Sequence, residues 1–302
     1  MADLVLAVDI GGTKMAAGLV ALDGSLVERA MRPTRPPGSD DVGPDVDQDP
    51  AELLWQDAAA LVCGIMDRLS PEDRLVVCGA GCGGPMTLGG AQVSPLNIPA
   101  WRSFPLRRRL ADLTGLATFV DNDAKALALG EGWVGAAAGA SDYIGMVVST
   151  GVGGGIVLDG RLLDGRLGNA GHVGHVIVVP DGRACRCGGR GCLEAEASGT
   201  ALAAITGQPA RLASAVVVER TGMLVGRALA SVVNLLDLPL AVVSGSVALG
   251  FGRPFFESAQ AEMDQRCGLD FARGARVVPG GLGDRGPLVG AARVGLRGLG
   301  AE

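Results

Sequence analysis

Soft metal-binding side chains are concentrated in one short stretch of the chain. It holds three of the seven cysteines and both histidines of the protein: His172, His175, Cys185, Cys187 and Cys192. Thiolates and imidazoles at such close spacing are typical of a four-coordinate zinc site. A metal here would fix a loop, and Glu194 would leave that loop in a defined direction.

Glycine-rich turns follow two apolar segments, one in each half of the chain. Leu4–Ile10 runs into Gly11-Gly12-Thr13-Lys14, and Tyr143–Ser149 runs into a turn that we predict over Gly151–Gly155. Another apolar strand follows each turn, whereas a Walker A loop or a Rossmann fingerprint would begin a helix there. Exposed glycine N–H groups are suited to binding phosphates, and Asp9 at a strand end is placed to hold Mg²⁺ or its water. The alternative is that each turn is only a tight hairpin.

An acidic motif ends a further apolar strand. Asp121-Asn122-Asp123 follows Ala117–Val120 and precedes an alanine-rich helix over Ala124–Ala138. Asn or Asp at this point is typical of a helix N-cap. Alternatively, Asp123 is a general base, because phosphoryl transfer to an alcohol needs positioning, charge neutralisation and a carboxylate that accepts the hydroxyl proton.

The elements that must position these residues occur twice in the chain. A strand, a glycine turn, a strand, an Asp-Gly turn and a third strand open the sequence, and the same series recurs from Tyr143. Such a repeat indicates two similar α/β halves, which we expect to face each other across a cleft. We predict a small N-terminal α/β domain over residues 1–122, completed by a C-terminal helix at about 287–302, and a larger α/β domain over 123–286 that carries the cysteine-rich loop.

Composition and charge exclude several classes of protein. The net charge of −6 and the pI near 5.1 argue against a nucleic-acid-binding surface, and no apolar run approaches the roughly 18 residues of a membrane span. The first residues lack the basic region of a signal peptide, and an odd number of cysteines without export signals fits a reducing compartment. We therefore predict a cytoplasmic protein with no nucleic-acid or membrane partner, in which four cysteines are small core residues: Cys63, Cys78, Cys82 and Cys267.

Taken together, these motifs resemble those of the ROK family (repressors, open reading frames and kinases), and within it the bacterial glucokinases, over nearly the whole chain. The segments that resemble its phosphate, sugar, catalytic and signature motifs are Asp9–Lys14, Asn97–Trp101, Asn122–Ala124, Ser149–Gly155, Gly171–His175 with Cys185–Glu194, and Val243–Val247. The signature over 171–194 is highly specific, whereas the glycine motifs alone are not.

The resemblance implies an actin-like ATPase (ribonuclease H-like) fold and a homodimer, with Asp123 as the catalytic base. The residues that would bind the sugar are Asn97, Asn122, Asp123, His172, His175 and Glu194. Those that would bind ATP and Mg²⁺ are Asp9, Gly11, Gly12, Thr13, Lys14, Thr150, Gly151, Gly153 and Gly245. Zinc would be held by His175, Cys185, Cys187 and Cys192. Because three thiolates and one imidazole fill all four positions, this zinc would be structural.

Three positions depart from the pattern of the kinases in that family. His172 stands where Glu is usual, Lys125 stands where Asn is usual, and Ser246 stands where a second glycine is usual. A histidine can still hydrogen-bond a sugar hydroxyl, although it supplies no fixed negative charge. Lys125 adds a positive charge near Asp123, which we expect to lower the pKa of that carboxyl.

The function that the resemblance implies is ATP-dependent phosphorylation of a hexose hydroxyl, with glucose 6-phosphate as the leading product and a role in glycolysis. Mannose, N-acetylmannosamine and fructose are alternative acceptors. A sugar-binding regulator that has lost catalysis is a second possibility, suggested by His172. A sugar-responsive repressor is disfavoured, because we expect the first strand at Leu4, which leaves no room for an N-terminal helix-turn-helix domain.

Overall fold

The computed structural model describes residues 1–34 and 49–300 of the 302-residue chain. The last two residues of the predicted C-terminal helix, 301–302, therefore lie outside the described residues. The described strands, named β1 to β10 in chain order, are Asp3–Ile10, Lys14–Ala21, Leu26–Pro33, Arg74–Cys82, Thr118–Asn122, Tyr143–Val148, Val152–Leu158, Arg161–Leu162, Leu240–Ser244 and Arg276–Pro279. The described α-helices, named α1 to α9, are Pro50–Met66, Leu106–Thr114, Asp123–Val134, Leu193–Ala197, Gly199–Thr206, Ala215–Leu236, Ser246–Phe251, Arg253–Arg266 and Gly286–Gly298.

The chain divides into two compact units. Unit 1 comprises the described residues of Met1–Ala126, Asp164–Asn169 and Asp284–Glu302, and unit 2 comprises Leu127–Leu163 and Ala170–Gly283. Compared with the domain limits predicted from the sequence, unit 1 also takes in residues 123–126, 164–169 and 284–286.

The sheet of unit 1 has the strand order β3-β2-β1-β4-β5. Strands β1, β2 and β3 form an antiparallel meander, and β4 and β5 extend it in parallel with β1. The meander follows from its turns, because a short connection between strands can only reverse the chain, whereas parallel strands need a longer crossover. Helix α1 begins as the sequence predicts, with the Asp49 carboxylate accepting the Ala51 N–H at 2.9 Å and Pro50 in the first turn.

The sheet of unit 2 repeats this arrangement. Its order, β8-β7-β6-β9-β10, places an antiparallel meander of β6, β7 and β8 beside the parallel strands β9 and β10. The predicted duplication is therefore confirmed strand by strand. Helix α6 begins at Ala215, after a separate 3₁₀ turn over Ala210–Leu212.

Small residues bring helices close to the sheets, as expected for a chain with only 3% aromatic residues. Helix α9 packs on β1, β4 and β5, and a Cβ atom built on Gly79 of β4 would lie 1.9 Å from the Ala291 carbonyl oxygen of α9. In unit 2, Cβ atoms built on Gly222 and Gly226 of α6 would lie 2.4 and 2.2 Å from backbone carbonyl oxygens of α8. The predicted core cysteines are buried at positions 78, 82 and 267, but Cys63 is exposed, because it lies on the outer face of α1.

No helix among residues 1–34 and 49–300 is both long enough and apolar enough to cross a lipid bilayer.

The close approach at Gly79 makes a specific stability prediction. Gly79→Ala should lower the free energy of unfolding by about 2 kcal/mol or more, because the backbone of α9 must move to admit the methyl group. Gly64→Ala is the matched control, since nothing lies within 4 Å of a Cβ at that helical position, and it should raise stability by about 0.5–1 kcal/mol. Urea unfolding measures both, and equal effects of the two variants would contradict this account of the packing.

Candidate functional site

The first glycine turn joins β1 to β2 in unit 1. Ile10 pairs with Met15, and the Gly11 N–H donates to the Lys14 carbonyl at 3.0 Å. A Cβ on Gly12 would lie 2.6 Å from the Asn97 Cβ, so only glycine lets the predicted sugar-binding loop pack on this turn. The turn is thus a tight hairpin, and it also lies directly against Asn97.

Asp9 lies at the end of β1, where its side chain is shielded from water. The residue is only 7% exposed. The pKa of Asp9 is raised to about 7, chiefly by burial and also by the nearby charge of Asp123, while Lys14 partly opposes the rise. Gly81 on β4 makes room for both acids, because its Cβ would lie 3.4 Å from the Asp9 Oδ1 and from the Asp123 Cα. Two carboxylates that repel each other in a buried place are a suitable environment for a divalent cation.

Asn122 and Asp123 mark the junction of β5 and α3. The Asn122 Oδ1 accepts the N–H of Ala124 at 3.0 Å and that of Lys125 at 3.4 Å, so Asn122 performs the capping role that the sequence left open. The Asp123 Oδ1 also accepts the Ala124 N–H, at 2.8 Å. Asp123 therefore stands in the first turn of α3, close enough to Asp9 for their charges to interact.

Lys125 was expected to influence Asp123, but its ammonium engages other acids. The Nζ lies 2.9 Å from an oxygen of Asp121 and 2.9 Å from an oxygen of Asp164, and it donates to the Gly168 carbonyl at 3.1 Å. The side chain is almost completely buried. Sequence reasoning does not find Asp164, because nothing in the local pattern near residue 164 points to a lysine 39 residues earlier.

The second turn, between β6 and β7 in unit 2, is shorter than predicted. Val148 pairs with Val152, and the Ser149 N–H donates to the Gly151 carbonyl at 2.9 Å, so the turn covers Ser149–Gly151. The prediction of a turn over Gly151–Gly155 is wrong, since Gly153–Gly155 belong to β7. These glycines serve packing instead: a Cβ on Gly154 would lie 2.8 Å from the Val173 Cγ1.

Helix α5 and the segment after β9 hold the second turn. The Gly199 N–H donates to the Ser149 carbonyl at 2.7 Å, and the Thr200 hydroxyl donates to the Thr150 carbonyl at 2.9 Å. The hydroxyl oxygens of Ser149 and Ser246 lie 2.9 Å apart. Thr200 was not predicted, although Ser198-Gly-Thr before an apolar helix is a capping signal that could have found it.

An open pocket of about 470 Å³ lies beside the second turn within unit 2. Its lining is formed by Ser149, Thr150, Gly199, Thr200, Ala203, Gly207, Gln208, Pro209, Ala210, Ser246 and Val247. Gly245 directly precedes the lining residue Ser246; it has φ of 101°, and its Cβ would lie 2.4 Å from the Val148 carbonyl oxygen, so this position requires glycine. A pocket of this size, with hydroxyls and backbone groups on an apolar wall, can hold a small organic ligand.

Glu131 is a buried carboxylate of α3 that sequence reasoning missed. It accepts the backbone N–H groups of Ala136 at 2.8 Å and Gly281 at 3.0 Å, and its Oε1 lies 3.2 Å from the Ser244 hydroxyl. It therefore fixes the backbone just before Gly245. The signal that could have found it is an isolated acid inside an alanine-rich helix.

The cysteine cluster forms a possible metal centre in unit 2. One ligand atom from each of His175, Cys185, Cys187 and Cys192 lies within 4.8 Å of all the others. The Cys187 and Cys192 sulfurs are 3.7 Å apart, and the Cys185 sulfur is 3.6 Å from the His175 Nδ1. A tetrahedral zinc with Zn–S bonds of about 2.3 Å and a Zn–N bond of about 2.0 Å has ligand edges of about 3.8 and 3.5 Å. The four predicted ligands fit zinc.

Electrostatics of the cluster also favour a cation. The pKa of the Cys192 thiol is raised to about 12, chiefly by burial and also by the neighbouring sulfurs of Cys187 and Cys185, whereas a hydrogen bond from the Gly189 backbone lowers the pKa of the Cys187 thiol. Without a metal, the formation of three adjacent thiolates is therefore opposed at Cys192. A divalent ion removes that conflict, because it stabilises each thiolate directly.

Glu194 follows the cluster on the short helix α4. Its Oε2 accepts the Val152 N–H at 3.0 Å, one residue beyond the second turn. His172 lies in the same segment as His175, with their ring centroids 6.1 Å apart. The structure thus groups the predicted residues in two sets. Unit 1 carries Asp9, the first turn, Asn97, Asn122 and Asp123, and unit 2 carries the second turn, Gly245, His172, Glu194 and the cluster.

Comparison with known proteins connects these sets to a family. The ROK family model matches residues 5–297. The chain belongs to the ROK family. The N-acetylmannosamine kinase of Citrobacter koseri is 37% identical over 265 residues, which cover 82% of this chain and 84% of that protein. The glucokinase of Thermotoga maritima is 37% identical over 200 residues, which cover 66% of this chain and 58% of that protein.

A solved ROK structure supports the same conclusion for the fold. The ROK family glucokinase from Streptomyces griseus, in complex with glucose and AMPPNP, has a TM-score of 0.82 and 29% identity, and the match covers 97% of this chain and 99% of that one. The predicted actin-like ATPase fold is confirmed, since this ROK match extends over nearly the whole chain and both sheets share one strand order.

The metal centre makes a prediction with a matched control. Purified protein should contain one zinc per chain by elemental analysis, and Cys192→Ser should lose most of it, because a hydroxyl is a much poorer zinc ligand than a thiolate. Cys63→Ser, at an exposed cysteine outside the cluster, should keep its zinc. Full zinc content in Cys192→Ser would contradict the proposed ligand set.

The raised pKa of Asp9 predicts a pH-dependent stability. The carboxyl has an ordinary pKa of 3.8 when unfolded and about 7 when folded, so the folded state loses stability as the pH rises between these values. Asp9→Asn should therefore be more stabilising at pH 8 than at pH 4, by on the order of 2–4 kcal/mol. Urea unfolding in EDTA, without nucleotide, measures the difference. An equal effect at the two pH values would rule out a buried, ionisable Asp9.

Proposed function

We propose that this ROK protein is an ATP-dependent sugar kinase that phosphorylates a hexose hydroxyl, with O6 of glucose as the leading acceptor. The observation that carries the proposal is the position of Asp123. It stands at the carboxyl end of β5, across Gly81 from the buried Asp9 and close to the first glycine turn. Ligands of α/β sheets bind at the carboxyl ends of the strands, which is where these groups meet.

Asp123 would act as the general base. As the acceptor oxygen forms its bond to the γ-phosphorus, the hydroxyl proton passes to the Asp123 carboxylate, and the bond from the γ-phosphorus to the departing ADP oxygen breaks. Asp9 is the residue that would hold Mg²⁺ or its water, and the ion would supply neutralisation of phosphate charge. The lowered dielectric around Asp9 strengthens any such interaction.

The donor would be held by the two turns. In unit 1 its proposed ligands are Gly11, Gly12, Thr13 and Lys14, and in unit 2 they are Thr150, Gly151 and Gly245. Gly153, which was predicted with them, lies inside β7, so we assign the second turn to Thr150 and Gly151. The open pocket beside Gly245 is the proposed place for the nucleoside. The AMPPNP in the Streptomyces griseus glucokinase supports ATP as the donor.

The acceptor would be held by polar side chains that offer both donors and acceptors to sugar hydroxyls. We propose Asn97, Asn122 and Asp123 from unit 1 and His172, His175 and Glu194 from unit 2. His175 has a second proposed role as a zinc ligand, so it would contact sugar only through the ring nitrogen that the metal does not use. Zinc would be structural, holding the loop from which Glu194 extends.

Glucose is favoured by the Thermotoga and Streptomyces relatives, which are named glucokinases. N-acetylmannosamine is the second candidate, because the Citrobacter kinase for that sugar matches over 84% of its length. Homodimerisation, a cytoplasmic location and a glycolytic role stay predictions from the family resemblance. The sugar-binding regulator without catalysis remains the competing hypothesis that the next experiment addresses.

A coupled ADP-release assay across glucose, mannose, fructose and N-acetylmannosamine tests the function. Wild type should release ADP only when a preferred hexose is present, and Asp123→Ala should lower kcat by about 10²–10⁴-fold because the proton acceptor is lost. Sugar affinity, measured by calorimetry, should change little by comparison.

Asp112→Asn serves as the control, since Asp112 forms only an exposed ion pair with Arg108 on α2, and it should retain full turnover. Full activity in Asp123→Ala would refute the assignment of the base. Sugar binding by wild type without any sugar-dependent ADP release would favour the regulator.

A further inference from the structure

Residues Asp164–Asn169 form a short segment, here called the strap, that belongs to unit 1 although it comes from the middle of the chain. Both of its ends are fastened to unit 1. At the start, Asp164 accepts from the Lys125 ammonium at 2.9 Å and from the Arg297 guanidinium at 2.7 Å. At the end, the Gly168 carbonyl accepts from the same ammonium at 3.1 Å.

The Lys125 ammonium has three N–H donors, and three acceptors surround it. They are Asp121, Asp164 and the Gly168 carbonyl, at 2.9, 2.9 and 3.1 Å. The side chain is only 2% exposed. Arg297 also pairs with Asp164 at 2.7 Å and lies 3.7 Å from Asp121, so both acids keep a cation when Lys125 is removed. Among the contacts named here, however, Lys125 alone joins both ends of the strap to Asp121 of β5, because it also donates to the Gly168 carbonyl.

The strap reaches the loop that carries Asn97. The Asn169 side chain donates to the Met86 carbonyl at 2.9 Å and accepts the Met86 N–H at 3.1 Å. Pro85, the preceding residue, accepts the Ser94 N–H at 2.8 Å, three residues before Asn97. At its other end, the Lys125 contact fixes Asp121, whose neighbours in the chain are Asn122 and Asp123.

We propose that Lys125 is a positioning residue for the acceptor side of the reaction: by fastening the strap, it holds both the Asn97 loop and the β5 end that bears Asn122 and Asp123. Lys125 contacts none of the reacting groups in this role. The role depends on the length of lysine, because the shorter asparagine side chain cannot bring one donor group to acceptors on both Asp164 and Asp121. The expected effect on the sugar KM depends on the proposed kinase function, whereas the attachment of the strap to unit 1 does not.

Limited proteolysis measures the fastening directly, because Arg166 is an exposed trypsin site inside the strap. In Lys125→Met, which removes the ammonium and keeps much of the side-chain volume, cleavage after Arg166 should be faster by about tenfold or more, since local opening becomes easier. Mass spectrometry identifies the cut bond. Arg253→Met, which removes a cation from an exposed pair with Glu257 in α8, is the control and should leave this rate unchanged.

Kinetics then separate positioning from general loosening. Lys125→Met should raise the sugar KM by about tenfold or more while the ATP KM changes by less than about twofold. Equal increases in both KM values, or an unchanged cleavage rate at Arg166 in a folded variant, would overturn the proposal.

Asn169→Ala tests the proposal if Lys125→Met does not fold. It removes the two hydrogen bonds between the strap and Met86 and leaves no buried charge. It should show the same faster cleavage and the same selective rise in sugar KM, and wild-type values for both would overturn the proposal. If wild type shows no sugar-dependent ADP release, the kinase function fails, while the cleavage rates still test the fastening on their own.

Discussion

The repulsion between Asp9 and Asp123 is the constraint around which unit 1 is arranged. Asp9 lies near the carboxyl end of β1 and Asp123 follows β5, with the parallel strand β4 between them. Burial of Asp9, together with the charge of Asp123, raises the pKa of Asp9 to about 7. Gly81 leaves space beside these two acids, and Gly12 leaves space for Asn97. The hydrophobic strands behind them keep water out. A site of this kind is unfavourable when empty and becomes favourable when a cation and a polyphosphate enter it.

In unit 2 the cysteine-rich loop helps to position groups that have different proposed roles. Cys192 is a proposed metal ligand, and two residues later Glu194 accepts the N–H of Val152 at the end of the second turn. The turn is also held from α5, whose N-terminal residues bond to Ser149 and Thr150. The cysteine-rich loop therefore supports the proposed phosphate-binding turn as well as the proposed sugar ligand.

Much of this arrangement could be predicted from sequence because its signals are local. Apolar runs such as Leu4–Ile10, the Asp49 cap with Pro50, and the clustered cysteines each report on a few neighbouring residues. The predictions failed where residues far away in the chain determine the local structure or the contacts of a side chain. Gly153–Gly155 look like a turn, but the register of β6 and β7 places them in a strand, where Val173 and Gly171 lie too close for side chains. Lys125 likewise appeared to be a neighbour of Asp123 alone, because its partner Asp164 is 39 positions away.

Helix α9 has a consequence for how the protein emerges from the ribosome. It covers β1, β4 and β5, yet it is synthesised after every other helix that the structure describes. Until α9 has left the ribosome, one face of the first sheet lacks its cover and exposes apolar residues such as Val77 and its partner Val5. Unit 2 has all of its strands and helices by Gly283, so the later-made unit can finish folding first. The N-terminal half is therefore the part of the nascent chain that most needs protection from aggregation during synthesis.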